Sequence, residues 1–89
     1  MRAIVTVIGK DRVGIIANVC TLLARSGVNI LDISQTIMQD YLTMIMLVDI
    51  SGCTLPFDGL SDALSALGEE QALSIRIQRE DIFEAMHRI

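Results

Sequence analysis

The stretch Gly9-Lys-Asp-Arg-Val-Gly14 places two glycines five residues apart, with Lys10 and Arg12 between them. It joins an apolar β-branched run, Ala3–Ile8, to a run with helical periodicity, Ile15–Ala24. The spacing is half of a phosphate loop. A Walker A loop ends in Gly-Lys-Ser/Thr, so that the lysine reaches phosphate and the hydroxyl holds Mg²⁺. Here Gly14 is followed by Ile15-Ile16 and the only lysine stands at the start of the loop, which argues against nucleotide binding. What remains is a set of backbone N–H groups at the positive end of a helix dipole, with Gly14 permitting close backbone approach. Such a nest suits a small carboxylate. Asp11 beside it suits an ammonium group, or caps the helix. A capped turn that only reverses the chain is the ordinary reading of the same residues, and local pattern leaves both open.

Other chemistry-bearing residues are sparse. Asn29 follows the helix-closing Gly27 and carries an amide that can donate to a carboxylate and accept from an ammonium group; its ordinary role is that of a turn residue. His87 is the only histidine. It has no second histidine, cysteine or carboxylate at ligand spacing, so no metal site is expected. With one histidine, no nucleophile–base pair can be built for Ser34, Ser61 or Ser65. The carboxylate pairs Glu69-Glu70 and Glu80-Asp81 fall at element ends, where solvation explains them. Met38, Met44, Met46 and Met86 read as adaptable core or interface groups. No catalytic constellation and no cofactor is expected.

Composition narrows the field further. The 89-residue chain has a net charge of −4 with its acidic groups scattered, so no basic stripe is available for a phosphate backbone. Tyr41, Phe57 and Phe83 are too few for a base-stacking platform, and direct nucleic-acid binding is disfavoured. Residues 1–89 are read as one domain, too small for two independent cores. The apolar share of 52% is slightly high and suggests surface buried against a partner. No run reaches the length of a membrane span, and Met1–Ile8 passes straight into a strand pattern without a secretory segment. Cys20 reads as a small buried hydrophobe and Cys53 as a loop residue open to solvent. A reducing cytoplasm is expected.

These residues must be positioned by a small number of elements. Ala3–Ile8 is apolar on both faces, as in a central strand. Ile15, Ile16, Val19, Leu22 and Leu23 make one helical stripe, closed by Ser26-Gly27. Leu31, Ile33 and Ile37 alternate with Asp32, Ser34 and Thr36, which predicts a strand with one wet face at the sheet edge. Gln39-Asp40 turns the chain into Leu42–Val48, apolar on both faces. A loop over 51–59, with Pro56 tolerable only in the first turn, leads to a helix carrying Leu60, Ala63, Leu64 and Leu67 and ended by Gly68. Leu73, Ile75 and Ile77 then alternate with polar residues. The order is βαββαβ, an α+β ferredoxin-like sandwich. Its four-stranded antiparallel sheet is expected in the order 4-1-3-2, with both helices on one face. Within the tail, residues 79–89, Asp81-Ile-Phe-Glu84 resembles a capping box and Ile82, Phe83, Met86 and Ile89 keep helical spacing. A short C-terminal helix is expected there, covering the open face of its own sheet or a partner's.

Across its length the sequence resembles the ACT-domain family of small regulatory modules. The resemblance is carried by AIVTVIGKDRVGIIANV (3–19), GVNILDISQTI (27–37), LTMIMLVDI (42–50) and REDIFEAMHRI (79–89). It is most similar to the stand-alone group termed UPF0237, and similar to the amino-terminal ACT modules of glycine-cleavage-system regulators and formyltetrahydrofolate deformylases. The resemblance implies a homo-oligomer, expected to be a dimer, with a small amino acid or similar metabolite held between subunits. It implicates Asp11, Arg12, Val13, Gly14 and Ile15 from the turn of one chain, and Asn29 with Ile30 from its neighbour's second strand. Gly14 would let the neighbour approach, and Asn29 would hold the ligand's amino and carboxylate groups. A regulatory target on another polypeptide follows, since no catalytic domain or helix-turn-helix is present. The competing expectation is a structural or docking module without a small ligand. An acylphosphatase-like enzyme, for which Arg12 and Asn29 supply the residue types, is disfavoured by the surrounding turn.

Overall fold

The computed structural model describes residues 1–11 and 13–81. Its elements are β1 (Arg2–Lys10), α1 (Ile15–Arg25), β2 (Asn29–Met38), β3 (Tyr41–Asp49), α2 (Phe57–Gln71) and β4 (Ser74–Arg79). All strand pairings are antiparallel and the sheet order is β2-β3-β1-β4, the expected ferredoxin-like arrangement. The central strands are those whose sequences are apolar on both faces. Arg79, assigned to the tail from the sequence, is the last residue of β4. Of the tail helix expected over 79–89, Glu80 and Asp81 are helical, and residues 82–89 lie outside the described residues.

One face of the sheet carries the core. Ala3, Val5 and Val7 of β1, Leu42, Met44, Met46 and Val48 of β3, and Ile75 and Ile77 of β4 are buried beneath Ile15, Val19 and Leu23 of α1 and Leu60 and Leu64 of α2. The opposite face holds Ile4, Thr6 and Ile8, register partners of Leu47, Ile45 and Thr43, and bears no helix among the described elements. Ile16 departs from the expected stripe and is 39% exposed. The α-helical repeat puts a residue next to Ile15 about 100° round the axis, toward the flank of α1 rather than the sheet.

Both helix ends are closed by the same device. After α1, Val28 N–H donates to Leu23 O at 2.9 Å and Gly27 N–H to Ala24 O at 3.1 Å, with Gly27 at φ +80°. This is the Schellman closure that favours glycine in the left-handed region. In α2, Gly68 does not end the helix as its type suggests; Leu73 N–H bonds Gly68 O at 2.7 Å and Ala72 takes the left-handed position at φ 58°. Gly68 serves instead as a close approach. A Cβ there would meet the Leu73 carbonyl oxygen at 2.7 Å, so the glycine lets α2 settle onto the start of β4. Pro56 sits at the N-cap with φ −63° and ψ 160°, where it lacks no required donor.

The edge strand β2 differs from its sequence-based expectation. Leu31 through Asp40 are exposed throughout, whereas alternation predicts one buried face. In β2 only Ile30 packs against the core, and the apolar side chains beyond it extend past the helical layer. Register shows a second difference. Ile30 lies opposite Val48 while Asp32 lies opposite Leu47, leaving Leu31 as a bulge. An extra residue exchanges the faces on either side of it. Ile33, Gln35 and Ile37 therefore share the helix side, opposite Met46, Met44 and Leu42, while Asn29 falls on the open side opposite Asp49.

Candidate ligand-binding site

The glycine turn leaves β1 and enters α1 through Gly14, whose φ of +92° is a left-handed value that glycine adopts at little cost. Gly14 is the N-cap, without a side-chain cap bond, so Asp11 does not cap the helix. Its backbone instead ties the turn to the neighbouring hairpin, donating N–H to Asp40 O at 2.7 Å. Asn18 N–H reaches Gly14 O at 2.9 Å and begins the helical bonding. The N–H groups that precede it in α1 are the orphan donors of a helix N-terminus. Val13 is fully exposed at the tip, while the Ile15 side chain is 2% exposed and anchors the turn to the core. Space around Gly14 is open: a Cβ added there would find its nearest neighbour in the Asn18 amide nitrogen, 4.0 Å away. Asn18 is thus a polar neighbour of the turn that sequence reasoning missed. Its signal was the one amide in α1, one turn from its start. Arg12 lies outside the described residues.

The second part of the expected site is elsewhere. Asn29 is exposed at the beginning of β2 and Ile30 is half-buried beside it. Asn29 lies opposite Asp49, and Asp49 opposite Arg2, at the start of β1; the turn follows Lys10, at the end of β1. The closure after α1 returns the chain to the level of Leu23, so the 11 residues of α1 hold the two parts on the order of 20 Å apart. A single chain therefore does not bring Asn29 to Gly14.

Around Asn29 the structure adds a small charged group. Ser51 N–H donates to Asp49 Oδ1 at 2.9 Å, and the Met1 ammonium donates to Ser51 Oγ at 2.6 Å while lying 3.6 Å from Asp49. These donors, Ser51 first, hold the Asp49 carboxyl below its ordinary range. A groove of about 500 Å³ between α1 and α2, reaching Asn18, Arg25 and Glu70, is separate from the Asn29 end. Cys20 and Cys53 are free and both half-buried, so Cys53 is less open than its loop position implied. No cluster of three metal-ligating side chains occurs among the described residues, and no described helix is long and apolar enough to cross a membrane.

The βαββαβ sheet of this order is shared with solved structures that this chain matches. The ACT-domain family model matches residues 2–78. This chain belongs to the ACT-domain family. A UPF0237 protein of Clostridium acetobutylicum is 55% identical over 89 residues, covering all of both chains. Among solved structures, an ACT domain protein from Streptococcus pneumoniae superposes with a TM-score of 0.82 at 43% identity, covering 94% of each chain. A candidate glycine cleavage system transcriptional repressor gives a TM-score of 0.74 at 26% identity, covering 88% of this ACT chain and 44% of that one. The family, its stand-alone UPF0237 branch and the likeness to a glycine-cleavage regulator thus stand as the sequence implied.

Proposed function

We propose that this ACT domain is a non-enzymatic regulatory module of the cytoplasm, a homodimer that binds a small amino acid at a site shared by two chains. The observation that carries the reading is the separation of Gly14 and Asn29 to opposite ends of one sheet, beside an edge strand whose apolar side chains lie bare. If β2 pairs antiparallel with β2 of a second copy, each Asn29 is carried toward the other chain's glycine turn. The carboxylate of the ligand would then meet the N–H groups after Gly14, its ammonium group Asp11, and the amide of the neighbour's Asn29 both. Val13, Gly14 and Ile30 would shape the contact, Ile15 would contribute through its backbone N–H, and Arg12 would add a cation.

Regulation would follow by linkage. A ligand touching both chains favours the paired state and alters the surface offered to a target protein. The test is a thermal-shift screen of the twenty amino acids. At least one is expected to raise Tm in the wild type and to lose that effect in Asn29→Ala. No response to any amino acid would overturn the ligand reading. The bare apolar edge, with Leu31 at 46%, Ile33 at 42% and Ile37 at 53% exposure, supports a second reading, assembly without a ligand. That reading predicts a dimer indifferent to every amino acid.

A further inference from the structure

The side of the sheet away from the helices has an apolar centre and a polar rim. On the two central strands, register sets Ile4, Thr6 and Ile8 beside Leu47, Ile45 and Thr43, and none of these residues is charged. Ile8 and Ile45 are 47% and 44% exposed, while Ile4 and Leu47 are half-buried. The charges stand on the flanking strands: Asp32 beyond Leu47 on β2, and Arg76 beyond Thr6 on β4. An antiparallel sheet that meets water on one face carries polar residues at its outward positions. Here those positions are mostly apolar where the sheet is most central.

We propose that this face is a docking surface and that its occupant is the end of the same chain. Residues 82–89 lie across β1 and β3 as a helix, over Ile4 and Leu47. This docking does not depend on the ligand proposed above.

The way the chain leaves β4 points there. Arg79 is level with Ala3, so Glu80 follows at the level of Arg2. Arg2 donates to the Glu80 carboxylate through Nε at 2.6 Å and through Nη2 at 2.5 Å. Residues two apart in a strand share a face, so Arg2 lies on the same side of β1 as Ile4. The two-pronged ion pair therefore ties Glu80 to the apolar side of the sheet and over its own β1. Glu80 and Asp81 are helical, so strand gives way to helix at that tie.

Length and pattern agree with the direction. Eight residues follow Asp81. At about 1.5 Å per residue they span about 12 Å, against about 4.8 Å between neighbouring strands. From β4 the segment crosses β1, reaches β3 and is then used up, which leaves no length to carry it to another chain's sheet. At helical spacing Ile82, Phe83, Met86 and Ile89 fall on one side, and Glu84, His87 and Arg88 on the other. The apolar side matches the uncharged centre of the sheet, and the charged side stays in water. So short a helix does not hold in water alone and draws its stability from the surface it packs on.

The chain has no tryptophan, so Phe83→Trp supplies a single indole reporter in the 89-residue protein. Its emission is expected to be blue-shifted and protected from acrylamide. Adding Leu47→Asp, or separately Ile4→Asn, is expected to red-shift the emission and remove the protection, while far-UV circular dichroism keeps the folded signal. Ile37→Asp, on the helix side of β2, is expected to leave the indole protected. An indole exposed in Phe83→Trp alone, indifferent to both face variants, or moved as much by Ile37→Asp, overturns the docking. Mixing identifies the owner of the tail. The Phe83→Trp, Leu47→Asp protein is combined with a Met86→Asp protein, whose sheet face is intact and whose own tail is impaired. No recovery of protection is expected. Recovery would mean that tails cross between chains, and would overturn the same chain as occupant.

Discussion

The carbonyl of Gly52 fills the space that a side chain at Gly27 would need. Two loops, one closing α1 and one following β3, touch backbone to backbone at this point, and Thr54 N–H donates to Ser26 O at 2.9 Å beside it. The contact fixes where β2 begins, and so where Asn29 is presented. Gly27→Ala combines a left-handed φ of +80° with a clash against main chain that cannot rotate away. Destabilisation on the order of 2–4 kcal/mol is expected, read as a lower urea midpoint.

Gly14→Ala provides the contrast. Its φ of +92° is equally left-handed, but the space around it is open. The cost is expected to stay near the backbone preference alone, about 1–2 kcal/mol. The variant should therefore fold, by circular dichroism, while its methyl group obstructs the nest and removes the amino-acid-dependent rise in Tm.

The end of α2 offers a stabilising change. Ala72 occupies the left-handed closing position at φ 58°, where glycine carries no Cβ penalty. Ala72→Gly is expected to raise stability by about 0.5–1 kcal/mol in urea unfolding. Gly68→Ala, only four residues earlier, is expected to do the opposite despite alanine's better helix propensity. Its methyl group would press on the Leu73 carbonyl oxygen at 2.7 Å.

Acid should act through Asp49. Ser51 N–H, the Ser51 hydroxyl and the α-ammonium group of Met1 stabilise its charged form, so its folded pKa lies below the ordinary value of 3.8. A carboxyl depressed on folding contributes stability above its unfolded pKa and loses it as pH falls through the folded one. The loss is therefore expected below about pH 4. Asp49→Asn should flatten that acid limb in a pH series of thermal midpoints and leave the curve above pH 5 parallel to wild type.

Core and edge should separate cleanly. Leu64, fully buried on the sheet-facing side of α2, is expected to cost about 2–5 kcal/mol on change to alanine. Ile33→Asp, on the exposed edge, should leave folding of the single chain near wild type and weaken self-association at least tenfold in sedimentation equilibrium. An unaltered association constant would show that β2 is not the contact.

Much of this protein is written locally. β-Branched runs apolar on both faces marked β1 and β3 as central, helical stripes marked α1 and α2, and Gly27 with Gln39-Asp40 marked the turns. Each depends on neighbours a few residues apart, which a sequence displays directly. The expected site residues were likewise legible as types, a glycine turn and an asparagine, together with the family that joins them.

Only the tertiary structure decided the rest. Gly68 ends a helix on local grounds, yet packing of α2 against β4 carries the helix one turn further and reassigns the left-handed position to Ala72. Ile16 belongs to an apolar stripe, yet its angle on the helix turns it outward. The Leu31 bulge is a matter of register between two strands, and alternation along one of them cannot reveal it. Burial of β2 depended on how far the helical layer reaches, and it stops short, leaving Ile33 and Ile37 bare. Above all, the distance between Gly14 and Asn29 is set by the length of α1 lying between their levels. The sequence determined that both residues exist at element ends; the fold decided that those ends point opposite ways, because antiparallel strands return the chain to the side from which it came.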